Sequence, residues 1–99
     1  MDVNRALRTA AATGKILVGG DQTQKAIDKG DAKLVVLSSN HPEADAITAK
    51  AAAKKIPVYR FMGRGTDLGP AIGKPFPVGV LAVLDPGESD VMGLKKEAA

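Results

Sequence analysis

The sequence predicts an α/β domain, a three-layer α/β/α sandwich, within 99 residues. The first reason is alternation. Segments with helix start and stop signals take turns with short runs rich in Val, Ile and Leu, so four strands are separated by helices. The second is the run "AKLVVLSS", which lacks the in–out alternation of a half-exposed strand and reads as a strand covered on both faces. The third is composition. A hydrophobic content of 44% with 25% charged residues suits a folded domain, and this length supports one core, not two, so residues 1–99 form a single domain.

Taken in order, "DVNRALRTAAAT" is a helix that Asp2 can cap and Gly14 stops. Residues 15–18 make a short β-branched strand ending at Gly19-Gly20. "DQTQKAIDKG" is a helix with Asp21 as N-cap and Gly30 as C-cap. "AKLVVLSS" is the second strand. "NHPEADAITAKAAAKK" is a helix with Pro42 at its first position, acids in its first turn and Lys50, Lys54 and Lys55 towards its end, which suits the macrodipole. "VYRF" is a strand opened by Pro57, "TDLGPAIG" a short helix capped by Thr66 and closed by Gly73, and "VGVLAVLD" the last strand. The helical crossovers favour parallel neighbours for most strands, with room for one antiparallel member. The tail from about residue 86 begins with a turn at Pro86-Gly87 and frays beyond it.

Composition excludes several classes. Without cysteine there is no disulfide framework and no thiolate metal site, which fits a reducing cytosol. A single histidine, His41, cannot build a His-based metal cluster; preceding Pro42 at a helix start, it reads as a capping or solvent-exposed residue. No apolar run approaches the roughly 18 residues of a membrane span, and "MDVNRALRTA" has no signal-peptide core. A soluble, intracellular protein without membrane partners is expected. The net charge of +3 permits nucleic-acid binding, but the excess is spread over both halves, so an RNA surface must be assembled in space from separate loops.

Enzyme signatures are missing. Ser38 and Ser39 follow a strand without G-x-S-x-G around them. In "GRGTDLGPAIG", Gly63 and Gly65 have the first spacing of G-x-G-x-x-G, but Leu68 takes the third position. Gly73-Lys74 is followed by Pro75 rather than Ser or Thr, so there is no phosphate loop. Asp85, Glu88 and Asp90 read as solvated surface. No catalytic residue, metal ligand or cofactor is assigned.

Binding features are present. In "VGGDQTQKAIDKG" a strand ends, two glycines permit close backbone approach, and a helix opens with N–H groups pointing outward, suited to phosphate or base-edge acceptors. Lys25 and Lys29, four residues apart, share a helix face that can follow a phosphate backbone. "SSNHPE" offers Asn40, an amide that both donates and accepts. "GKPFPVG" holds Phe76, one of three aromatic residues in the chain, between Pro75 and Pro77 beside Lys74. If the last strand runs opposite to the others, this loop meets the first two at one edge of the sheet. The ring either stacks on an unstacked RNA base or folds back onto the core.

The segments "TGKILVGGDQTQKAIDKGDAKLVVLSSN", "IPVYRF", "DLGPAIGKPFPVGVLAVLD" and "PGESD" together resemble the L-seven-Ae/L-thirty-e family of kink-turn RNA-binding proteins. Within it they are similar to the L-thirty-e branch of archaeal and eukaryotic large ribosomal subunits, over nearly the whole chain. The resemblance implies a mixed four-stranded sheet between helical layers and a structural, non-enzymatic role in the cytoplasmic ribosome. Its partners would be a kink-turn of ribosomal RNA and other ribosomal proteins, with no sign of a homo-oligomer. By position it implies that Gly19 and Gly20 form the close-approach turn, that Asp21, Gln22 and Lys25 open the helix entering the RNA groove, and that Asn40 lies near the RNA. Gly73, Lys74, Pro75, Phe76, Pro77, Val78 and Gly79 would form the loop whose ring packs against an extruded base or sugar. One position departs from the pattern. Asp21 stands where this branch usually has Lys or Arg and the L-seven-Ae branch has Asn, and a carboxylate can only accept hydrogen bonds, so a lower affinity for isolated RNA is expected. Two other readings fit the sequence less well: a free-standing kink-turn module that nucleates ribonucleoprotein assembly, and a small phosphate-ligand enzyme using Gly19-Gly20.

Overall fold

The computed structural model describes residues 3–39, 41 and 43–87. These form helix α1 (Val3–Thr13), strand β1 (Lys15–Val18), α2 (Gly20–Lys29), β2 (Leu34–Leu37), α3 (Ala44–Ala53), β3 (Val58–Arg60), α4 (Gly65–Ala71) and β4 (Val80–Asp85). The eight elements occur in the order the sequence predicts, with ends displaced by a few residues.

The strands form one sheet in the order β1-β4-β2-β3. β2 and β3 are parallel, as the α3 crossover requires. The α2 crossover likewise leaves β1 and β2 pointing the same way, but one strand-width apart, and β4 fills the slot antiparallel to both. Two of the three neighbouring pairs are therefore antiparallel, which corrects the expectation of mostly parallel neighbours. A helix between consecutive strands constrains their directions but not which strand is inserted between them.

Both faces of the sheet are covered. Leu34 and Val36 of β2 with Leu81 and Val83 of β4 face α1 and α4, packing on Ala6, Leu7, Ala10, Leu68, Ala71 and Ile72. Val35, Leu37, Val80 and Ala82 point the other way, onto Ala26 and Ile27 of α2 and Ile47 and Ala51 of α3. All four residues of β2 are fully buried, as a non-alternating run should be. Small helix residues at the contacts (Ala6, Ala10, Ala26, Ala51) let the layers approach closely, which is how a chain this poor in aromatic residues closes its core.

Two helix starts differ from expectation. α2 begins at Gly20 with Gly19 as N-cap, so Asp21 is the second helical residue rather than the cap. Gly19 has φ 103°, a conformation closed to most residues, and its carbonyl accepts the N–H of Thr23 at 3.0 Å. α4 starts at Gly65 with Arg64 as N-cap, two residues ahead of the expected cap Thr66. There the Asp67 carboxylate, at the third helical position, reaches back to accept the Arg64 N–H at 3.0 Å, as an acidic residue does in a capping box. The expected cap at Asp2 and the expected first position at Pro42 lie outside the described residues; Glu43 is the N-cap of α3.

Candidate nucleic-acid interface

Because β4 runs against its neighbours, the segments after β1, β2 and β3 and the segment before β4 all lie at one end of the sheet. Backbone hydrogen bonds join them. The Gly19 N–H donates to the Val80 carbonyl at 3.0 Å, the Ser38 N–H to the Gly79 carbonyl at 2.8 Å, and the Ser39 N–H to the Gly63 carbonyl at 2.7 Å. The edge is thus assembled on main-chain geometry before any exposed side chain contributes.

The first segment is the Gly19-Gly20 turn and the start of α2. Gly20, Asp21 and Gln22 supply the helix's first N–H groups, which have no carbonyl a turn earlier within the helix. Asp21, Gln22 and Lys25 are exposed, while Thr23, Ala26 and Ile27 bury the opposite face. Lys25 stands ~7 Å along the axis from Gly20, and Lys29, also exposed, ~13 Å along it in the last turn. The helix therefore sets Lys25 beside the edge and Lys29 well back from it.

The second segment follows β2. Asn40 lies outside the described residues. His41 is half-buried, and its Nδ1 accepts the N–H of Glu43, the N-cap of α3, at 3.0 Å, just ahead of the helix it was expected to cap or stand exposed beside. The ring also lies against Gly79, where an added Cβ would come within 2.7 Å of Cδ2. His41 therefore joins the second and third segments.

The third segment, 73–79, is clamped onto α4. Gly73 closes the helix at φ 82°, its N–H donating to the Pro70 carbonyl at 3.0 Å, and the Lys74 N–H donates to the Gly69 carbonyl at 2.9 Å. The Val78 N–H reaches the Gly65 carbonyl at 3.0 Å. Gly69 is a close-approach site, since a Cβ there would collide with the Phe76 carbonyl. Val78 is buried at 2% exposure and anchors the loop, so its side chain faces the core. Lys74, Pro75, Phe76 and Pro77 all project outward, Phe76 with 49% of its surface exposed. The alternative in which the ring folds back onto the core does not occur.

Sequence reasoning missed a set of polar residues where α2 and α3 meet. Lys50 Nζ donates to Gln24 Oε1 at 3.0 Å, and Gln24 Nε2 donates to Glu43 Oε2 at 3.4 Å, tying the α2 start to the α3 start. These residues come from separate helices, with no local motif to signal their meeting. The 61–64 turn after β3 also reaches this edge, through the Gly63 carbonyl, although in the sequence its glycines were weighed only against G-x-G-x-x-G. Among the described residues no group of three or more His, Cys, Asp or Glu could hold a metal ion, and no helix is long and apolar enough to cross a membrane. Asp85 Oδ1 accepts the Gly87 N–H at 2.9 Å; Glu88 and Asp90 lie outside the described residues.

Residues 1–93 match the family described as "Ribosomal protein L7Ae/L30e/S12e/Gadd45 family". The chain belongs to this family. Among its L7Ae/L30e relatives, the large ribosomal subunit protein eL30 of Methanocaldococcus jannaschii is 48% identical over 101 residues, covering 98% of this chain and 92% of that protein. The large ribosomal subunit protein eL30 of Methanothrix thermoacetophila is 41% identical over 97 residues, with the same coverages. Among solved structures, a protein of unknown function from Bacillus halodurans superposes with a TM-score of 0.82 at 31% identity, covering 97% of each chain. The L7Ae/L30e membership indicated by "VGGDQTQKAIDKG" and "DLGPAIGKPFPVGVLAVLD" is thus established over nearly the whole length.

Proposed function

We propose that this protein is a non-enzymatic structural constituent of the large ribosomal subunit in the cytoplasm, binding a kink-turn of ribosomal RNA through residues 19–25, 38–42 and 73–79. The observation that carries the reading is the outward presentation of Phe76, on a loop clamped to α4 at the edge where the Gly19-Gly20 turn opens α2. A half-exposed ring flanked by prolines costs little conformational entropy to present and offers a stacking face to an extruded base. The α2 N–H groups and Lys25 beside it suit base-edge and phosphate acceptors. Family membership and the eL30 relatives support the ribosomal assignment.

The test is a titration of the protein with a short kink-turn RNA and with the same RNA lacking its sheared G·A pairs, at a stated salt concentration, because phosphate contacts make the affinity salt-dependent. Wild type should prefer the kinked RNA, and Phe76→Ala should lose about 1–3 kcal/mol of that affinity. Because about half of Phe76 is buried, its truncation should cost about 1 kcal/mol of stability, leaving the protein folded. Equal weak binding of both RNAs by wild type would overturn the proposal.

A further inference from the structure

The 61–64 turn lies at the same edge as the three segments above and is fastened to two of them. Its Gly63 carbonyl accepts the Ser39 N–H at 2.7 Å, and the Gly65 carbonyl just beyond accepts the Val78 N–H at 3.0 Å. Two side chains stand out from it. Met62 is 94% exposed, more than any other large hydrophobic among the described residues, and the exposed Arg64 follows two residues later. Single exposed apolar residues are ordinary on a protein surface, so Met62 alone decides nothing. Its position does: apart from Phe76 it is the other large exposed hydrophobic among the described residues, and the two sit on segments that touch the same short helix.

Arg64 is well supported for a contact. Its N–H donates to the Asp67 carboxylate at 3.0 Å, and its carbonyl accepts the N–H groups of Asp67 at 2.9 Å and Leu68 at 3.0 Å. The guanidinium therefore extends from a fixed main chain. Phe76 crosses α4 at Gly69, and Gly65 is one turn back along that helix, ~6 Å away along the axis. The main chain that carries Phe76 therefore lies about one helical turn from residue 64.

We propose that the 61–64 turn is a fourth RNA-contacting segment, in which Arg64 binds a backbone phosphate of the strand that stacks on Phe76 and Met62 covers the adjoining sugar or base face. This rests on the RNA-binding reading above. Arginine donates to phosphate through a planar fork, and the polarizable thioether adapts to an irregular apolar surface.

The test compares wild type, Phe76→Ala, Arg64→Ala, Arg64→Lys and Met62→Ala in the kink-turn titration across a salt series, with urea midpoints to confirm folding. Lys54→Ala serves as a control, making the same charge change at the exposed end of α3, at the opposite end of the sheet. Arg64→Ala should weaken binding about three- to tenfold and lower the salt slope by about one. Arg64→Lys should keep the slope, Met62→Ala should weaken binding about twofold without changing it, and Lys54→Ala should change neither. If wild type is selective and Phe76→Ala weakens it, while Arg64→Ala keeps wild-type affinity and slope, the fourth contact is overturned and the three-segment reading survives. If wild type fails to distinguish the two RNAs, both fall together.

Discussion

At the scale of single residues, Asp21 sets two functions against each other. It occupies the second position of α2, exposed, where a carboxylate interacts favourably with the positive end of the helix macrodipole by about 0.3–1 kcal/mol. Under the proposed function the same carboxylate faces the RNA, where it would repel phosphates and could not donate to guanine O6 or N7. Asp21→Asn should therefore tighten kink-turn binding by about 1 kcal/mol, with a donor gained and a charge removed, while lowering the urea midpoint slightly. Asp21→Lys should act in the same direction on binding. Unchanged or weaker RNA affinity for both would overturn this argument, and weaker affinity would mean that the carboxylate makes a favourable contact. The sequence marked this residue as a departure but misread it as the N-cap. Asp is a common N-cap, and only the φ of 103° at Gly19 shows that the cap lies two residues earlier.

At the scale of elements, α4 and the 73–79 loop act as one unit. α4 has only seven residues, with Gly69 and Pro70 inside it, so its own helical propensity is poor. Its place comes from Leu68 and Ala71 buried against the sheet and from the loop laid across it. Gly69→Ala presents a contest of magnitudes. Helix propensity favours alanine by about 1 kcal/mol. The new Cβ, however, meets the Phe76 carbonyl, a backbone atom that cannot swing aside, and overpacking of this kind costs about 1–3 kcal/mol. The clash should win. The variant should unfold at lower urea and bind kink-turn RNA more weakly, because relieving the overlap displaces Phe76. A variant at least as stable as wild type with unchanged RNA affinity would mean that the loop is not clamped there. In the sequence Gly69 reads only as a glycine in a short helix, since the backbone it admits arrives seven residues later in the chain.

At the scale of the whole molecule, the last strand holds the sheet together. β4 is hydrogen-bonded on both sides, pairing Leu81 with Val18 of β1 and with Val36 of β2. Its first four residues are fully buried. Leu81 is wholly enclosed, so Leu81→Ala should cost about 2–5 kcal/mol, a large share of the 5–15 kcal/mol typical of a domain, read as a fall in the urea midpoint. A loss below about 1 kcal/mol would show that the layers close around the missing side chain. The candidate edge depends on the same strand, since the Val80 and Gly79 carbonyls accept the N–H groups of Gly19 and Ser38. Until β4 is seated, the segments after β1 and β2 have nothing between them.

The sequence by itself determined the kinds and order of the elements and the three-layer class. Periodicity, caps and breakers are local, and a strand such as 34–37 shows burial on both faces in its own composition. It also marked Phe76 as a ring in an unusual setting and Gly19-Gly20 as a turn. Only the tertiary structure decided that β4 lies between β1 and β2, that its direction brings the 73–79 loop to the α2 start, and that Phe76 faces outward while Val78 faces in. It also decided that the 61–64 turn joins the same edge and that Gln24, Glu43 and Lys50 meet. The physical reason is range. Helix and strand signals act within about one or two turns of chain, whereas strand order and convergence of loops follow from packing between residues far apart in sequence, whose partners no local window contains.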